Sequence, residues 1–565
     1  MAFIYPAPSV PHGDRWPLYR SWWQEKALAL APAGLTVLLA TSVWLLGWRG
    51  VDQAAQLYRV TMFRTHGLML WDAGWYGGNF PLGYSALFPP LASVLGIQVV
   101  AVGSAAIATL AFDRVIRVHF GSRPLGTWYF AVSTVLPVMI GQLPFLAGEA
   151  AGLAALVSLQ KGHRRTAVVL GIVSALFSPL AAAFLAMVCL AWAARGSSRR
   201  GWVIATAAVS LGVIFALGAL FPGDGPFPFP WQGLVVTEAL CFTALTPLVR
   251  TTPAVRLGAL LYAVASLFSF VVPNPLGGNA PRLAGAIGVP LLACFLTAPT
   301  PAAARFSPSK LAERLLARRR LELSPRVRLV AMALVVPFAL WQWAPGQKIV
   351  TSAATAPGVT AAFYQPLINE IRSVAPQPVR VEVPPTLEHW ESAYVAPYVS
   401  LARGWERQLD IADNPLFYTP GVLTASSYAA WLDSEGVTFV ALPHAPLDYA
   451  AIAEGRLLTS GAVSSLSVVW KTAQWELWRV NGSPGLVSGA AAITSLEPDH
   501  FGLEVASPGN IVVRVRYTKF WSVASGSACV GPAPGGWTVV EASRAGPVEV
   551  LASLRPNSAT VCQST

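Results

Sequence analysis

Long apolar runs fill the first 345 residues of the chain, and they constrain its fold more than any other feature. Runs of about 20 apolar residues are long enough to cross the hydrocarbon core of a bilayer as helices. Only 12% of the residues are charged, against roughly 25% in an ordinary soluble protein. The chain is therefore predicted to be a polytopic α-helical membrane protein. The runs occupy residues 27–48, 90–111, 124–140, 144–160, 202–221, 231–249, 255–272, 283–298 and 328–345.

Short basic segments between alternate runs predict which side of the membrane each loop faces. The segments "KGHRR" (161–165) and "SKLAERLLARRRLELSPRVR" (309–328) carry the excess of positive charge that is typical of cytoplasmic loops. The intervening segments "PGDGPFPFP" (222–230) and "NPLGGNAPR" (274–282) carry little charge and are predicted to face outward. The net charge of +12 is explained by this alternation, so no nucleic-acid partner is predicted.

One apolar stretch must reverse its direction within the bilayer. Residues 166–194 lie between two basic flanks, so a single crossing would place one of these flanks outside. The pair Ser178-Pro179 marks the middle, and proline lacks an amide donor and disfavours helix in the residue before it. Two half-helices are predicted here, which gives about eleven membrane helices with residues 1–26 in the cytoplasm.

The character of the sequence changes after residue 345. Alternating stretches such as "VTFVALP" (437–443) and "NIVVRVRY" (510–517) are typical of strands, and helical stretches lie only among the earlier ones. An α/β domain is predicted over residues 346–480 and a β-sandwich over residues 481–565, both outside the cytoplasm. In an oxidising compartment, Cys529 and Cys562 are predicted to form a disulfide that staples the sandwich.

The first loop, residues 49–89, carries the most distinctive polar residues of the membrane part. Asp52 follows the first apolar run, and the residues from Gln53 to Met69 have the spacing of an amphipathic helix that lies on the membrane surface. An acid at this boundary can act as a general base toward a hydroxyl group beside a lipid phosphate. The alternative is that Asp52 pairs with Arg49 or caps the helix.

The order of Asp52 and the polar residues after it, followed by "WDAGWYGGNFPLGYSALFPPL" (71–91), resembles the first loop of two groups of multi-spanning membrane proteins. These are the bacterial YfhO-type proteins and the 6-pyruvoyl-tetrahydropterin-synthase-related membrane proteins, and both are similar to the GT-C superfamily of glycosyltransferases. The segment "VVPNPLGGNAPRLAG" (271–285) also resembles an outer-loop motif of these proteins.

The resemblance implies a GT-C-like transmembrane domain over residues 27–345 in a bacterial plasma membrane. It also implies that the protein transfers a sugar from a polyprenyl-phosphate donor to a cell-envelope glycan or lipid at the outer face. The alternative function is a non-catalytic transporter of lipid or glycan, or an envelope-assembly protein, on the same scaffold.

The resemblance assigns roles to individual residues. Asp52 matches the loop acid of the family and Asp72 matches the acid of its Trp-Asp element, so both are predicted to be catalytic. The paired acid of the protein-mannosyltransferase branch is replaced by Gln53, which leaves a divalent cation open. The Gly77-Gly78 turn is predicted to let the backbone approach a ligand closely. The residues predicted to bind the donor are Arg59, Arg64, His66, Tyr76, Asn79, Glu149, Asn279 and Arg282.

A cluster of aromatic and charged residues in the α/β domain is predicted to bind the acceptor sugar. Indole faces stack on sugar rings, and charged groups form hydrogen bonds with hydroxyl groups. The cluster suits docking against the membrane part equally well. It contains His389, Trp390, Glu391, Arg403, Trp405, Glu406 and Arg407.

Overall fold

The computed structural model describes residues 17–120, 124–195, 200–223, 225–246, 249, 251–297, 333, 335–353 and 356–562. The basic loop 309–328 and most of the predicted cytoplasmic segment 1–26 lie outside these residues. The described chain consists of a helical part (residues 17–353), an α/β unit (residues 357–480) and a β-sandwich (residues 487–562).

The helical part contains five segments that are long and apolar enough to cross a membrane. They are Ile97–Phe120, Leu143–Lys161, Arg200–Leu220, Pro253–Val271 and Gly277–Thr297. Shorter apolar helices are Leu30–Leu45, Leu125–Ile140, Pro179–Ala194 and Trp231–Leu245. By the length and composition of these described helices, the chain is a membrane protein.

The helices of this part are labelled in chain order. They are α1 (Pro17–Leu45), α2 (Val51–His66), α3 (Pro81–Tyr84), α4 (Phe88–Leu95), α5 (Ile97–Phe120), α6 (Leu125–Ser133), α7 (Leu136–Ile140), α8 (Leu143–Lys161), α9 (Arg164–Phe177), α10 (Pro179–Ala194), α11 (Arg200–Leu220), α12 (Trp231–Leu245), α13 (Pro253–Val271), α14 (Val289–Thr297) and α15 (Val335–Lys348). Helix α1 begins ahead of the predicted residue 27, and the predicted run 90–111 is divided between α4 and α5 at Gly96, whose φ of 89° ends the first helix.

The predicted break at Ser178 is confirmed. Ser178 separates α9 from α10, and its hydroxyl oxygen accepts a hydrogen bond in the first turn of α10. Ala167 of α9 and Ala193 of α10 share one core cluster with Leu159 near the end of α8, whereas the apex of the pair packs on Gly148 near the start of α8. The two half-helices therefore run side by side in opposite directions, with their apex packed on α8.

The α/β unit is built on a mixed five-stranded sheet of order β2-β1-β3-β5-β4. Strand β1 is parallel to both neighbours, and the pairs β3–β5 and β5–β4 are antiparallel. Core clusters on both faces of the sheet are covered by helices. The strands are β1 (Arg380–Glu382), β2 (Ser400–Leu401), β3 (Val437–Pro443), β4 (Leu466–Lys471) and β5 (Trp475–Val480), and the helices are α16 (Ala361–Val374), α17 (Glu391–Tyr394), α18 (Arg407–Asp413), α19 (Ala425–Glu435) and α20 (Ile452–Thr459).

The β-sandwich packs two four-stranded antiparallel sheets, of orders β10-β13-β8-β7 and β11-β12-β9-β6, around one apolar core. The predicted disulfide is confirmed, since Cys529 of β11 is bonded to Cys562. The strands are β6 (Val487–Ser488), β7 (Ala491–Glu497), β8 (His500–Val505), β9 (Gly509–Arg516), β10 (Trp521–Ser525), β11 (Ala528–Pro532), β12 (Trp537–Ala542) and β13 (Gly546–Ala552).

Helix α2 confirms the helix predicted in the first loop, but its environment differs from the prediction. Nine of its residues are buried by the rest of the protein, among them Asp52 and Arg59, so α2 is enclosed and does not lie along a free membrane surface. Tyr58 and Met62 of α2 belong to the core of the α/β unit, whereas Val60 belongs to the main core of the helical part. The helix therefore joins the helical part to the α/β unit.

The remainder of the first loop lies between the two units that follow the helical part. Trp71 enters the core of the β-sandwich, and Trp75 enters the core of the α/β unit. Gly78 has a φ of +150°, and a Cβ atom there would lie 2.2 Å from the ring of Trp71. The glycine turn thus admits a protein side chain, which corrects the prediction that it approaches a ligand.

Candidate active site at the junction of the helical part and the α/β unit

A polar stripe runs along α2 where the helical part meets the α/β unit. Asp52, Gln56 and Arg59 are spaced four and three residues apart, so they share one face of the helix. All three are buried, and each has a side-chain polar atom without a hydrogen-bond partner among the described residues. Buried polar atoms are rarely left unpaired, and exceptions require an explanation such as a ligand site. We call this region the junction site.

The start of α2 is fixed in place by the turn between α7 and α8. Gly141 has a φ of +95°, and a Cβ atom there would lie 2.1 Å from the backbone nitrogen of Gln53. Only glycine allows the turn to approach α2 so closely. The Gln53 side chain completes the attachment, because its Nε2 donates a hydrogen bond of 2.8 Å to the Val138 carbonyl oxygen.

Asp52 is paired with Arg282, and the catalytic and donor-binding roles predicted for these residues stay predictions. The distance between Asp52 Oδ2 and Arg282 Nη2 is 3.5 Å, although the two residues come from α2 and from the segment before α14. The Arg282 guanidinium also lies 5.8 Å from the centre of the Phe145 ring. Arg49 bonds instead to the Tyr394 hydroxyl group at 3.4 Å, and α2 is capped by Gly50, so neither alternative role of Asp52 is found.

The environment of Asp52 raises the pKa of its carboxyl group. Burial has the largest effect and disfavours the charged form. The charges of Arg282, His389 and Arg59 and a hydrogen bond with Gln142 act in the opposite direction without cancelling the effect of burial. A carboxylate with a raised pKa is a stronger base than an exposed aspartate.

The α/β unit closes the other side of the junction site. Glu406 forms an ion pair with Arg59, and burial raises the pKa of this glutamate despite the arginine. The Arg59 guanidinium lies 4.0 Å from the centre of the Tyr84 ring. Trp405 Nε1 donates a hydrogen bond of 2.9 Å to the carbonyl oxygen of Val51. Trp405 therefore docks the α/β unit onto α2, which is the alternative role considered for it.

His389 approaches Asp52 from the α/β unit, with a left-handed backbone φ of 54° that non-glycine residues seldom adopt. Its Nε2 lies 3.5 Å from Asp448 Oδ2, and its Nδ1 lies 3.7 Å from Glu391 Oε1. The neighbouring Glu388 has a pKa raised to about 7, chiefly by burial and also by the charge of Asp52. His389 and Glu388 thus act electrostatically with Asp52.

Asp72 lies in the turn of the first loop, where the charges of Arg59 and Glu406 also act on it. Its Oδ1 accepts hydrogen bonds from the Tyr58 hydroxyl group at 2.8 Å and from the Gly74 amide at 2.9 Å. Asn79 pairs with Asp72 through the backbone, and the Tyr76 hydroxyl group donates to the Glu406 carbonyl oxygen. Burial raises the pKa of Asp72 to about 6. Asp72, Tyr76 and Asn79 thus make internal contacts here, and their predicted roles in catalysis and donor binding stay predictions.

Two further residues predicted to bind the donor lie at the far end of α2. Arg64 Nε donates a hydrogen bond of 3.2 Å to the Ser93 carbonyl oxygen, and His66 lies 3.9 Å from Glu497 of the sandwich. At a rise of about 1.5 Å per residue, twelve or more residues of helix separate both from Asp52 by about 18 Å or more. Asn279 remains close to Arg282 in sequence, in the short 3₁₀ turn Gly277–Asn279.

Most residues predicted to bind the acceptor are internal. The Arg403 guanidinium donates to Asp410 at 2.9 and 2.6 Å and to Glu454 at 3.1 Å, and all three side chains are buried. Trp390 stacks on Tyr394. Glu391 accepts a hydrogen bond of 2.6 Å from the Thr386 hydroxyl group. Because Arg403, Trp390 and Glu391 are enclosed, they do not form a sugar-binding surface.

An apolar cavity of about 780 Å³ lies within the helical part, next to the junction site. Phe145, which contacts Arg282, lines one end, and Gln160 lines the other. The fifteen-residue separation corresponds to about 22 Å along α8. Glu149 is a buried acid in this otherwise largely apolar lining, and its Oε1 has no hydrogen-bond partner among the described residues.

The residues of the junction site do not fit a divalent cation. Asp52 faces a guanidinium, and among the described residues the group of acids, histidines and cysteines with ligand spacing is Cys529, Glu541 and Cys562. The two cysteines of that group are joined as a disulfide. The charge that a metal would supply beside Asp52 is supplied here by Arg282.

Several residues of the site were not found from the sequence. The helical spacing of Gln56 with Asp52 and Arg59 is a signal that could have identified Gln56. Tyr84, Gln142 and Glu388 come from separate segments whose sequences carry no signal of their meeting at α2.

No protein-family model matches the chain, and no curated protein matches it. The fold and the site therefore define its class on their own: a membrane protein with a helical part, an α/β unit and a β-sandwich, whose buried acid and arginine meet at the junction.

Proposed function

We propose that the chain is an outer-face glycosyltransferase of the GT-C kind in a bacterial plasma membrane. It has about eleven membrane helices, holds its C-terminal units outside the cytoplasm and uses a polyprenyl-phosphate sugar donor. The acceptor is a cell-envelope glycan or lipid. The observation that carries this proposal is the contact between Asp52 and Arg282 beside the apolar cavity.

The donor is bound by residues on both sides of Phe145. The isoprenoid chain occupies the apolar cavity, whose largely apolar lining matches it. The phosphate lies at Arg282, because a guanidinium can bind two phosphate oxygens at once. Phe145 contacts the guanidinium and also lines the cavity, so it joins the phosphate site to the chain site.

Binding of the phosphate also prepares Asp52 for catalysis. Once the phosphate becomes the partner of Arg282, Asp52 loses the largest of the charges that lower its pKa. Asp52 then accepts the proton of the acceptor hydroxyl group as its oxygen forms a bond to the anomeric carbon. The bond between that carbon and the phosphate oxygen breaks, and the phosphate leaves with the negative charge that Arg282 neutralises.

The test uses the full chain in liposomes with synthetic polyprenyl-phosphate sugars that carry mannose, glucose, arabinose or N-acetylglucosamine. Transfer to added envelope glycan and lipid is followed with a radiolabel. Asp52→Asn is expected to lower kcat by about a hundredfold or more, because it removes a general base. Arg282→Ala is expected mainly to raise the KM for the donor.

Asp113→Asn is the matched control. Asp113 is a buried acid that also pairs with an arginine, the partly exposed Arg117 at 2.7 Å, in the last turns of α5. This variant is expected to retain transfer. Full activity of Asp52→Asn in the same preparation would rule out the proposed role of Asp52.

The alternative, a lipid transporter on the same scaffold, is favoured by the length of the apolar cavity along α8. It predicts that a fluorescent polyprenyl phosphate crosses liposomes containing the chain, with no sugar transferred. Crossing that survives Asp52→Asn, without transfer by the unaltered chain, would favour this second function.

A further inference from the structure

Two paired loops of the α/β unit carry exposed side chains next to the junction site. The Leu387 amide donates to the Pro446 carbonyl oxygen at 2.8 Å, and the Asp448 amide donates to the Pro385 carbonyl oxygen at 2.9 Å. Glu388 and His389 continue the first of these loops, and Tyr449 continues the second. The pairing therefore holds Tyr449 on the same side of the α/β unit as the two residues that act on Asp52.

Tyr449 is the most exposed aromatic side chain of this region, with 65% of its surface accessible. The Arg407 guanidinium lies 4.7 Å from the centre of its ring, and Tyr418 contacts the ring edge-on at 6.5 Å. Arg407 is itself fixed, because it donates hydrogen bonds of 2.9 Å to Asp448 and to the Tyr418 hydroxyl group. The ring is thus supported from the protein side and open on the other.

Asp448 keeps this arrangement charged. Burial alone would raise the pKa of Asp448, but the hydrogen bond and charge of His389, together with Arg407, lower it well below its usual value. The carboxylate therefore holds both Arg407 and His389. The Nδ1 atom of His389, on the other side of the ring, lies 3.7 Å from Glu391 Oε1, so the imidazole is held between two acids.

We propose that Tyr449, Arg407 and Glu388 form the acceptor subsite and bind a carbohydrate. The Tyr449 ring stacks on one face of a sugar, and Arg407 and Glu388 form hydrogen bonds with its hydroxyl groups. The sugar then extends along His389 toward Asp52, where its reacting hydroxyl group loses a proton. The assignment of this carbohydrate as an acceptor rests on the proposed glycosyltransferase function, and it moves the subsite from the enclosed Arg403 and Trp390 to the exposed Tyr449 and its partly buried neighbours.

The test measures sugar binding by the full chain in lipid nanodiscs, without any donor. Mannotriose, maltotriose and chitotriose are titrated separately by calorimetry and by saturation-transfer NMR. At least one of them is expected to bind, and Tyr449→Ala is expected to weaken its affinity about tenfold, as loss of an aromatic anchor does at other interfaces. Glu388→Gln is expected to weaken it less, because an amide still offers a hydrogen-bond acceptor.

Tyr398→Ala is the matched control. Tyr398 is also exposed, and the Arg372 guanidinium lies 4.7 Å from the centre of its ring, so it reproduces the arginine–tyrosine pair away from the paired loops. Equal losses for the two tyrosine variants would overturn the proposal, as would the absence of binding for all three trisaccharides.

A further variant separates this proposal from the proposed reaction. Asp52→Asn is expected to retain trisaccharide binding that still depends on Tyr449, while losing sugar transfer. If the unaltered chain transfers no sugar but binds it through Tyr449, the proposed carbohydrate subsite is supported and the proposed reaction is contradicted. If transfer depends on Asp52 while Tyr449→Ala alters neither trisaccharide binding nor the KM for the acceptor, only the proposed subsite is contradicted.

Discussion

Glu388 responds to the charge of Asp52 across the junction site. Burial is the main cause that raises the pKa of Glu388 from 4.5 to about 7, the charge of His389 lowers it, and that of Asp52 raises it. Asp52→Asn removes one raising effect, so the pKa of Glu388 is expected to fall below about 7. Infrared titration of the carboxyl band measures this change, with Glu388→Gln to assign the band. An unchanged pKa would show that the two carboxyl groups do not interact.

The same pKa shift sets the sign of a pH effect on stability. Because the pKa of Glu388 in the folded protein lies above its usual value of 4.5, the folded state binds this proton more tightly than the unfolded state does. The contribution to stability is complete below about pH 4.5 and is lost as the pH rises through about 7. Glu388→Gln is accordingly expected to make the unfolding temperature depend less on pH over this interval.

Arg403 illustrates a buried charge whose removal affects stability. Its guanidinium is the partner of Asp410 and Glu454 and lies 3.8 Å from Glu382, so Arg403→Ala leaves several buried acids without their cation. A loss of about 3–5 kcal/mol of unfolding free energy is expected, since the remaining charges are not compensated. Chemical denaturation of the α/β unit within the full chain measures it. Arg372→Ala, on an exposed side chain, is expected to change stability by only about 0.5 kcal/mol, and an equal effect of both variants would contradict this account.

At the scale of elements, α9 and α10 show why a short membrane segment needs protein around it. Each half-helix is too short to cross a bilayer alone, and their apex is enclosed against α8 through Gly148. The two outer ends of the pair therefore lie near each other, and we expect both on the same side of the membrane. The sequence predicts the turn between the two half-helices, because proline and the two basic flanks are local signals. They can be interpreted without knowledge of distant contacts.

Cysteine labelling tests the reversal directly. Arg165→Cys and Arg195→Cys place one thiol at each end of the pair, on exposed positions. A membrane-impermeant maleimide is expected to label both variants from the same side of sealed vesicles, the side that positive charge predicts to be cytoplasmic. The native Cys189, Cys241 and Cys294 are buried and serve as the unreactive background. Labelling of the two variants from opposite sides would mean that the segment crosses the membrane once.

Helix α2 marks the limit of what sequence could predict. The sequence predicts this helix and the acid after the first apolar run. It does not predict the surroundings of the helix, because Arg59 pairs with Glu406 and Asp52 pairs with Arg282, and both partners lie far along the chain. An amphipathic pattern is the same whether the second face meets water, lipid headgroups or a folded unit, so the pattern alone could not distinguish them.

For the whole molecule, the first loop determines how the three parts meet. Trp71 and Trp75 are only four residues apart, yet one lies in the core of the β-sandwich and the other in the core of the α/β unit. The sequence predicted three parts because each has its own periodicity. It could not predict that a loop of the first part completes the cores of the other two, since a buried tryptophan and a ligand-stacking tryptophan look alike in sequence.

This arrangement predicts that substituting Trp71 and substituting Trp75 destabilise different units. Trp71→Ala removes a side chain from the sandwich core and is expected to increase hydrogen exchange in strands such as β8 and β10, whereas Trp75→Ala is expected to increase it in β1 and β3. Each loss is expected to cost about 3–5 kcal/mol locally, as for other large-to-small core substitutions. Exchange is measured by mass spectrometry on the full chain in detergent. Trp231→Ala, which removes an exposed tryptophan, is the control. If either core variant increased hydrogen exchange in both units to the same degree, the two cores would unfold as one cooperative unit, which would contradict this prediction.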